Sequence, residues 1–233
     1  MALPLYLAMT AAEMTANSLL PPRCAYLSCH FSPWSRGLSN CPAALPEGAM
    51  LILDDSAPIR GHDAGLAAAQ LSDLVKLHRC GCILLDFQQP PSEESLAFVR
   101  ALLPVLPCPV GVSERYAEGL DCPVFLPPLP LDMPLRDYLV PWAGREIWLD
   151  AAVESAVFTV DKDGCSITPL ASGNCPEHAR RDEKLHCHYT LELTEDQANF
   201  TLYRTREDVL ELLDEAESLG VKQAVGLWQE LKQ

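Results

Sequence analysis

The chain has 233 residues, of which 48% are apolar and 21% charged, enough apolar content for a substantial core. Its formal charge of −15 leaves it without the clustered Lys and Arg that hold phosphates, which argues against nucleic acid and against an anionic membrane surface. No apolar run approaches the roughly 18 residues that span a bilayer.

In chain order, the opening "MALPLYLAMTAAEMTA" has the small residues of a signal peptide but no basic start, and Pro4 interrupts its apolar run. It is expected to form a first strand, Leu3–Met9. Seven further strand-like runs follow: Cys24–Cys29, Ala49–Asp55, Cys80–Phe87, Cys108–Ser113, Cys122–Leu126, Glu146–Ala151 and Lys222–Trp228. Most are continuously apolar, the pattern of strands covered on both faces.

Three helices are expected between them. Asp63 caps one that runs to Arg79, with Ala67, Leu71, Leu74 and His78 at helical spacing. Ser92 starts a second, whose inner face is Leu96, Val99 and Leu103. Thr205 and Asp208 open a third, which turns Val209, Leu212, Leu213 and Ala216 inward and stops at Gly220. Eight strands in strand–helix–strand order suggest a (β/α)8 TIM-like barrel. Cys29–Gly48 and Pro127–Trp142, rich in proline, imply that several outer helices are reduced to loops.

From Ala156 to Leu170 the pattern becomes that of a hairpin around an Asp-Gly turn, and Leu185–Thr194 and Asn199–Tyr203 resemble further antiparallel strands. We therefore expect one barrel domain over residues 1–233 with a β-rich insertion at 154–203. Five of the ten cysteines (Cys24, Cys80, Cys82, Cys108 and Cys122) lie in apolar strand-like runs, where cysteine acts as a small hydrophobe. That usage fits a reducing cytoplasm better than a disulfide scaffold.

The segment "LYRTREDVLELLDEAESLGVKQAVGLWQEL" (Leu202–Leu231) resembles the closing helix–strand unit of glycoside hydrolase family 18, the chitinase-like barrels and their spore-cortex relatives. In that family the last strand ends in a tryptophan that floors a sugar subsite, which Trp228 would match; it could equally cap the barrel core. "GCILLDFQ" then falls on the family's fourth strand, of pattern D-x-x-D-x-D-x-E. The matching positions are Gly81, Leu84, Asp86 and Gln88, so only the last aspartate is kept and the acid has become an amide. The resemblance implies that Asp86 would hold a 2-acetamido group and that Gln88 stands where a glutamic acid protonates the glycosidic oxygen. An amide has no comparable proton to give. The family's sixth-strand tyrosine has no match in "CPVFLPPLP".

Barrel sites lie at the C-terminal strand ends. These ends carry Asp54 and Asp55, Asp86 and Gln88, Glu114 and Arg115, Asp150, then Trp228, Gln229 and Glu230. Asp86 with Asp55 or Glu114 could form an acid–base pair; each is also an ordinary helix cap or loop charge. Tyr26, Phe31 and Trp34 could contribute to a sugar-binding rim or anchor a loop. His186 and His188 are expected on one face of an inserted strand with Cys187 between them. Surface histidines fit their irregular spacing to Cys165 and Cys175 better than a zinc set does. No dinucleotide, P-loop or serine-hydrolase motif is present, and no cofactor is expected.

Three functions remain open on sequence grounds. The first is a carbohydrate-binding barrel for N-acetylated glycans with weak or absent hydrolysis. The second is a glycosidase using Asp55, Asp86 and Glu114. The third is a scaffold that meets a protein partner through the insertion.

Overall fold

The computed structural model of the chain describes residues 3–171 and 174–232. The first half lays down β1 (Leu5–Met9), α1 (Ala11–Ala16), β2 (Cys24–Phe31), β3 (Leu38–Ser39), β4 (Met50–Asp54) and α2 (Ala64–His78). It continues through β5 (Cys82–Asp86), α3 (Glu93–Leu102), β6 (Val110–Ser113), β7 (Val124–Leu126), α4 (Leu135–Leu139) and β8 (Ile147–Asp150). Five strands then leave the barrel: β9 (Glu154–Asp161), β10 (Gly164–Leu170), β11 (Arg180–Asp182), β12 (Cys187–Leu193) and β13 (Gln197–Arg204). The chain returns through α5 (Arg206–Ser218), β14 (Gln223–Leu227) and α6 (Trp228–Leu231).

Eight parallel strands follow one another as β1-β2-β4-β5-β6-β7-β8-β14, and the pairing of β14 with β1 closes the ring. This is a (β/α)8 barrel, as the eight apolar runs predict. Short β3 adds antiparallel to β2 at the edge, inside the stretch expected to be only loop. Two helices were not foreseen in the sequence pattern. Helix α1 is started by a capping box between Thr10 and Glu13, and α4 begins at Pro134 within the proline-rich stretch.

Local chemistry sets the three long helices. The Asp63 carboxylate accepts from the Leu66 amide at 2.8 Å to begin α2, and Arg79, with φ 52°, ends it in the left-handed region. Thr205 and Asp208 exchange the paired bonds of a capping box at the start of α5, which buries Val209, Leu212, Leu213 and Ala216 as predicted. On α3 the buried face is Ser95, Phe98, Val99 and Leu102 rather than Leu96, Val99 and Leu103. Phe98 rotates that face, because its ring meets Phe31 edge-on at 5.5 Å.

Apolar side chains fill the barrel from inside. Ala8, Ala25, Met50, Ile52, Cys82, Leu84, Phe125, Trp148 and Val225 form one interior cluster. Trp148 is its largest member, and it lies where Gly111 leaves room: a Cβ on Gly111 would overlap the indole. Because strand side chains alternate, the next inward positions above this plug are Asp54 after Ile52, Asp86 after Leu84 and Asp150 after Trp148. The packing therefore delivers three carboxylates to the same end of the barrel.

Strands β9 to β13 form a second sheet, in order β10-β9-β13-β12-β11, all antiparallel. Its inner half packs on the connection after β7 through Leu131, Ala156, Phe158, Cys187 and Leu202. Arg204, with only 1% of its side chain exposed, locks that contact. It donates to the carbonyls of Leu129 and Pro130 on the barrel side and of Leu185 and His186 on the sheet side.

Candidate active site at the barrel mouth

The mouth is the C-terminal end of the parallel ring, where this architecture places its chemistry. Parallel register sets Asp54 beside Asp86, and His30 beside Asp54, on three neighbouring strands. Gln88 follows Asp86 by two residues and its side-chain amide donates to the Asp86 carboxylate. The rest of that turn is fixed from below. Arg115 donates to the Gln88 carbonyl at 2.8 Å, Ser113 to the Phe87 carbonyl at 2.7 Å and Tyr116 to the Gln89 carbonyl at 3.2 Å.

Asp55 takes a different position from the one its sequence neighbours suggest. It points out of the ring, is 3% exposed, and its two carboxylate oxygens accept from the backbone amides of Gln88 and Gln89 at 2.8 and 2.9 Å. This geometry makes Asp55 a positioner of the Gln88 turn, while Asp54 supplies the inward carboxylate. Alternation along β4, with Met50, Ile52 and Asp54 on one face, is the sequence signal that separates the two.

The remaining carboxylates gather across the ring. Burial, then Asp86, Glu154 and Glu230, push the Asp150 carboxyl up to about 7. Burial likewise pushes Asp86 up; the Gln88 amide pulls against it, and Asp54, Asp55 and Glu114 add to the rise. Glu230 accepts from the Val153 amide at 3.1 Å, which ties α6 to the connection between β8 and the insertion. Glu114 pairs with its neighbour Arg115 at 3.8 Å. The mouth therefore gathers several carboxylates into one field, and Asp150 is the one whose charge that field and its burial disfavour most.

Tyr138 joins the mouth from α4. Its hydroxyl donates to the Pro127 carbonyl at 2.9 Å, and its pKa is pushed well up by burial and by Glu114, Asp150 and Glu154. No strand pattern marks this tyrosine; the connection after β7 carries it in.

Trp228 starts α6 on β14, the strand diametrically opposite β5 in the ring. It is half-buried and packs beside the Met9, Cys24 and Ala49 cluster, with Gln229 exposed next to it. The indole thus belongs partly to the wall between β1 and β2. Tyr26 is in the core at 4% exposure and its hydroxyl donates to the Asn40 carbonyl at 2.7 Å; Phe31 is fully buried. Of that aromatic group only Trp34, 93% exposed, stands on the rim.

His186 and His188 of the insertion are not free surface groups. His186 lies before β12 in the left-handed region, with φ 46°, so it does not share a strand face with His188. Its Nε2 meets the Glu215 carboxylate at 2.6 Å, and His188 Nδ1 meets Asp208 at 3.0 Å, so both bind the insertion to α5. Among the described residues, no group of three or more His, Cys, Asp or Glu could hold a metal ion.

Comparison with solved structures bears on this geometry. A class V chitinase from Nicotiana tobaccum, solved as a glutamate-to-glutamine mutant in complex with NAG4, matches at TM-score 0.61 and 9% identity, over 100% of this chain and 95% of that one. The fold is that of the chitinase-like barrels. A Chromobacterium violaceum chitinase matches at TM-score 0.54 and 12% identity over 100% and 98% of the two chains. The Bacillus cereus spore cortex-lytic enzyme SleL matches at 0.53 and 10% over 96% and 70%. No model of a known family and no curated protein matches the sequence. Identities this low carry the chitinase-like fold, and the site rests on its own residues.

Proposed function

We propose that the mouth binds an N-acetylated glycan and that hydrolysis there is weak or absent. The observation that carries this reading is the Gln88 amide held on the Asp86 carboxylate at the mouth of a chitinase-like barrel. Asp86 offers an acceptor for an acetamido N–H, and Gln88 offers a hydrogen bond but no transferable proton. Losing a general acid costs on the order of 10²–10⁴ in rate, so binding outlasts cutting. The solved chitinase that carries glutamine in place of a glutamate and holds NAG4 supports the compatibility of an amide with a bound oligomer. Buried thiols at Cys24, Cys29, Cys80, Cys82 and Cys187 support a reducing compartment such as the cytoplasm.

Titration with N-acetylglucosamine tetramer, followed by tryptophan fluorescence and by calorimetry, tests the reading. Saturable binding that is lost in Asp86→Ala is the expected result. Absence of any heat or fluorescence change up to about millimolar ligand, near the weak end of specific binding, contradicts it.

One observation favours a second reading. Asp150, whose carboxyl is pushed up to about 7, stands in the same field as Asp86, and two carboxyl groups in one field with different surroundings can divide the acid and base roles. A working glycosidase built on that pair would show a bell-shaped pH–rate profile on chromogenic glycosides, with its upper limb abolished in Asp150→Asn.

A further inference from the structure

The mouth is acidic, yet the rim beside it carries cations around one exposed indole. The turn after β2 lifts Trp34 into solvent and is rigidly built. Ser32 is buried, its hydroxyl accepts from the Trp34 and Ser35 amides at 3.3 and 3.1 Å, and its own amide donates to the Gly37 carbonyl at 2.9 Å. The Leu38 amide donates to Gln70 of α2 at 2.9 Å, which pins the returning strand. The 93% exposure of Trp34 is therefore imposed by its turn.

Trp34, Arg36, Pro58, Arg60 and His62 line a cavity of about 400 Å³. Arg36 makes no ion pair among the described residues. Arg60 meets Glu94 at 3.9 Å, but both side chains are largely exposed, so that pair holds the guanidinium weakly. The His62 ring lies 4.9 Å from Phe31, and its Nδ1 is buried without a hydrogen-bond partner. Pro58 and Arg60 also line a second cavity, of about 270 Å³, which reaches Gln89 beside Gln88. The two cavities are thus neighbours that share Pro58 and Arg60, one beside the Gln89 turn and the other beside the indole on the rim.

We infer that this rim takes a carboxylate-bearing sugar unit of the glycan whose neutral unit lies in the mouth, an inference that rests on the glycan reading above. An indole face stacks on the C–H face of a pyranose. Guanidinium groups suit a carboxylate, which they can bind through two parallel hydrogen bonds. In a chain of charge −15, with Asp54, Asp86, Asp150, Glu114, Glu154 and Glu230 around the mouth, an acidic sugar is repelled from the centre and accepted at the rim. The two fields together would set the direction in which the oligomer lies.

The test compares five ligands by calorimetry: N-acetylglucosamine oligomer, an oligomer alternating it with N-acetylmuramic acid, one alternating it with hexuronate, and the methyl esters of the acidic two. At least one acid is expected to bind about tenfold tighter than the neutral oligomer. Esterification, added salt and the double variant Arg36→Ala/Arg60→Ala should each erase that preference. Which acid shows it identifies the source of the carboxylate. Trp34→Ala should weaken the acid while leaving the melting temperature unchanged, and Lys162→Ala, on the far hairpin, should change neither. Equal binding of acidic and neutral oligomers, or a preference that survives the double arginine variant, overturns the rim site and leaves the mouth reading intact. No binding of any ligand overturns both.

Discussion

At the scale of single residues, the mouth is governed by which carboxylates face inward and what each one meets. Asp54 and Asp86 share a register level on adjacent strands, whereas Asp55 turns outward to hold the Gln88 and Gln89 amides. Asp150 has a measurable consequence. Its carboxyl stands near 7 in the folded chain, because burial and the neighbouring Asp86, Glu154 and Glu230 disfavour its charge, against about 4 when unfolded. The folded state therefore holds this proton more tightly. The stability it confers is fully present below about pH 4 and is lost as pH rises through about 7. Asp150→Asn, which cannot ionise, should raise the melting temperature at about pH 8 by several degrees and change it little at about pH 4. Calorimetric melts of both proteins across that range check the sign.

At the scale of elements, the barrel was legible because most of the eight runs, such as "MLIL" within Ala49–Asp55 and "CILL" within Cys80–Phe87, are continuously apolar and short, the pattern of strands covered on both faces. Helix α5 was legible because its capping box and inward residues are local to thirteen positions. Helices α1 and α4 were not, since six and five residues leave no helical period to count and Pro134 disguises the start of the second. Gln88 could be placed by its distance from Asp86, while Tyr138 could not, because its approach to the mouth depends on how the connection after β7 folds back. The fit of Gly111 to Trp148 is also a tertiary fact. Gly111→Ala would push a methyl into the indole that plugs the ring, with an expected cost of about 1–3 kcal/mol measured by urea unfolding. A neutral result there would mean the plug is loosely packed.

At the scale of the whole molecule, the second sheet is joined to the barrel by the apolar cluster around Leu131 and Phe158, by one buried cation and by the histidine–carboxylate contacts to α5. Arg204 satisfies carbonyls on both bodies and meets Glu154 at 3.8 Å, so its removal leaves buried acceptors and a carboxylate unpaired. Burial pulls the pKa of Arg204 down, and the charge of Glu154 pulls it back up. Arg204→Met is expected to cost about 3–5 kcal/mol. It should also raise hydrogen exchange in β9, β12 and β13 ahead of the barrel strands. By contrast, His186→Ala, which breaks one contact between the sheet and Glu215, should cost less. The glycan account depends on this joint only indirectly, because Asp86, Gln88 and Asp54 stand on barrel strands and their turns. The most direct test of that account is the rate at which N-acetylglucosamine tetramer is cleaved by the protein and by Gln88→Glu, measured by mass spectrometry of the products. The variant should cleave on the order of 10²-fold faster than a nearly inert parent that still binds the tetramer. Equal rates in the two proteins, whether both cleave or neither does, would contradict it.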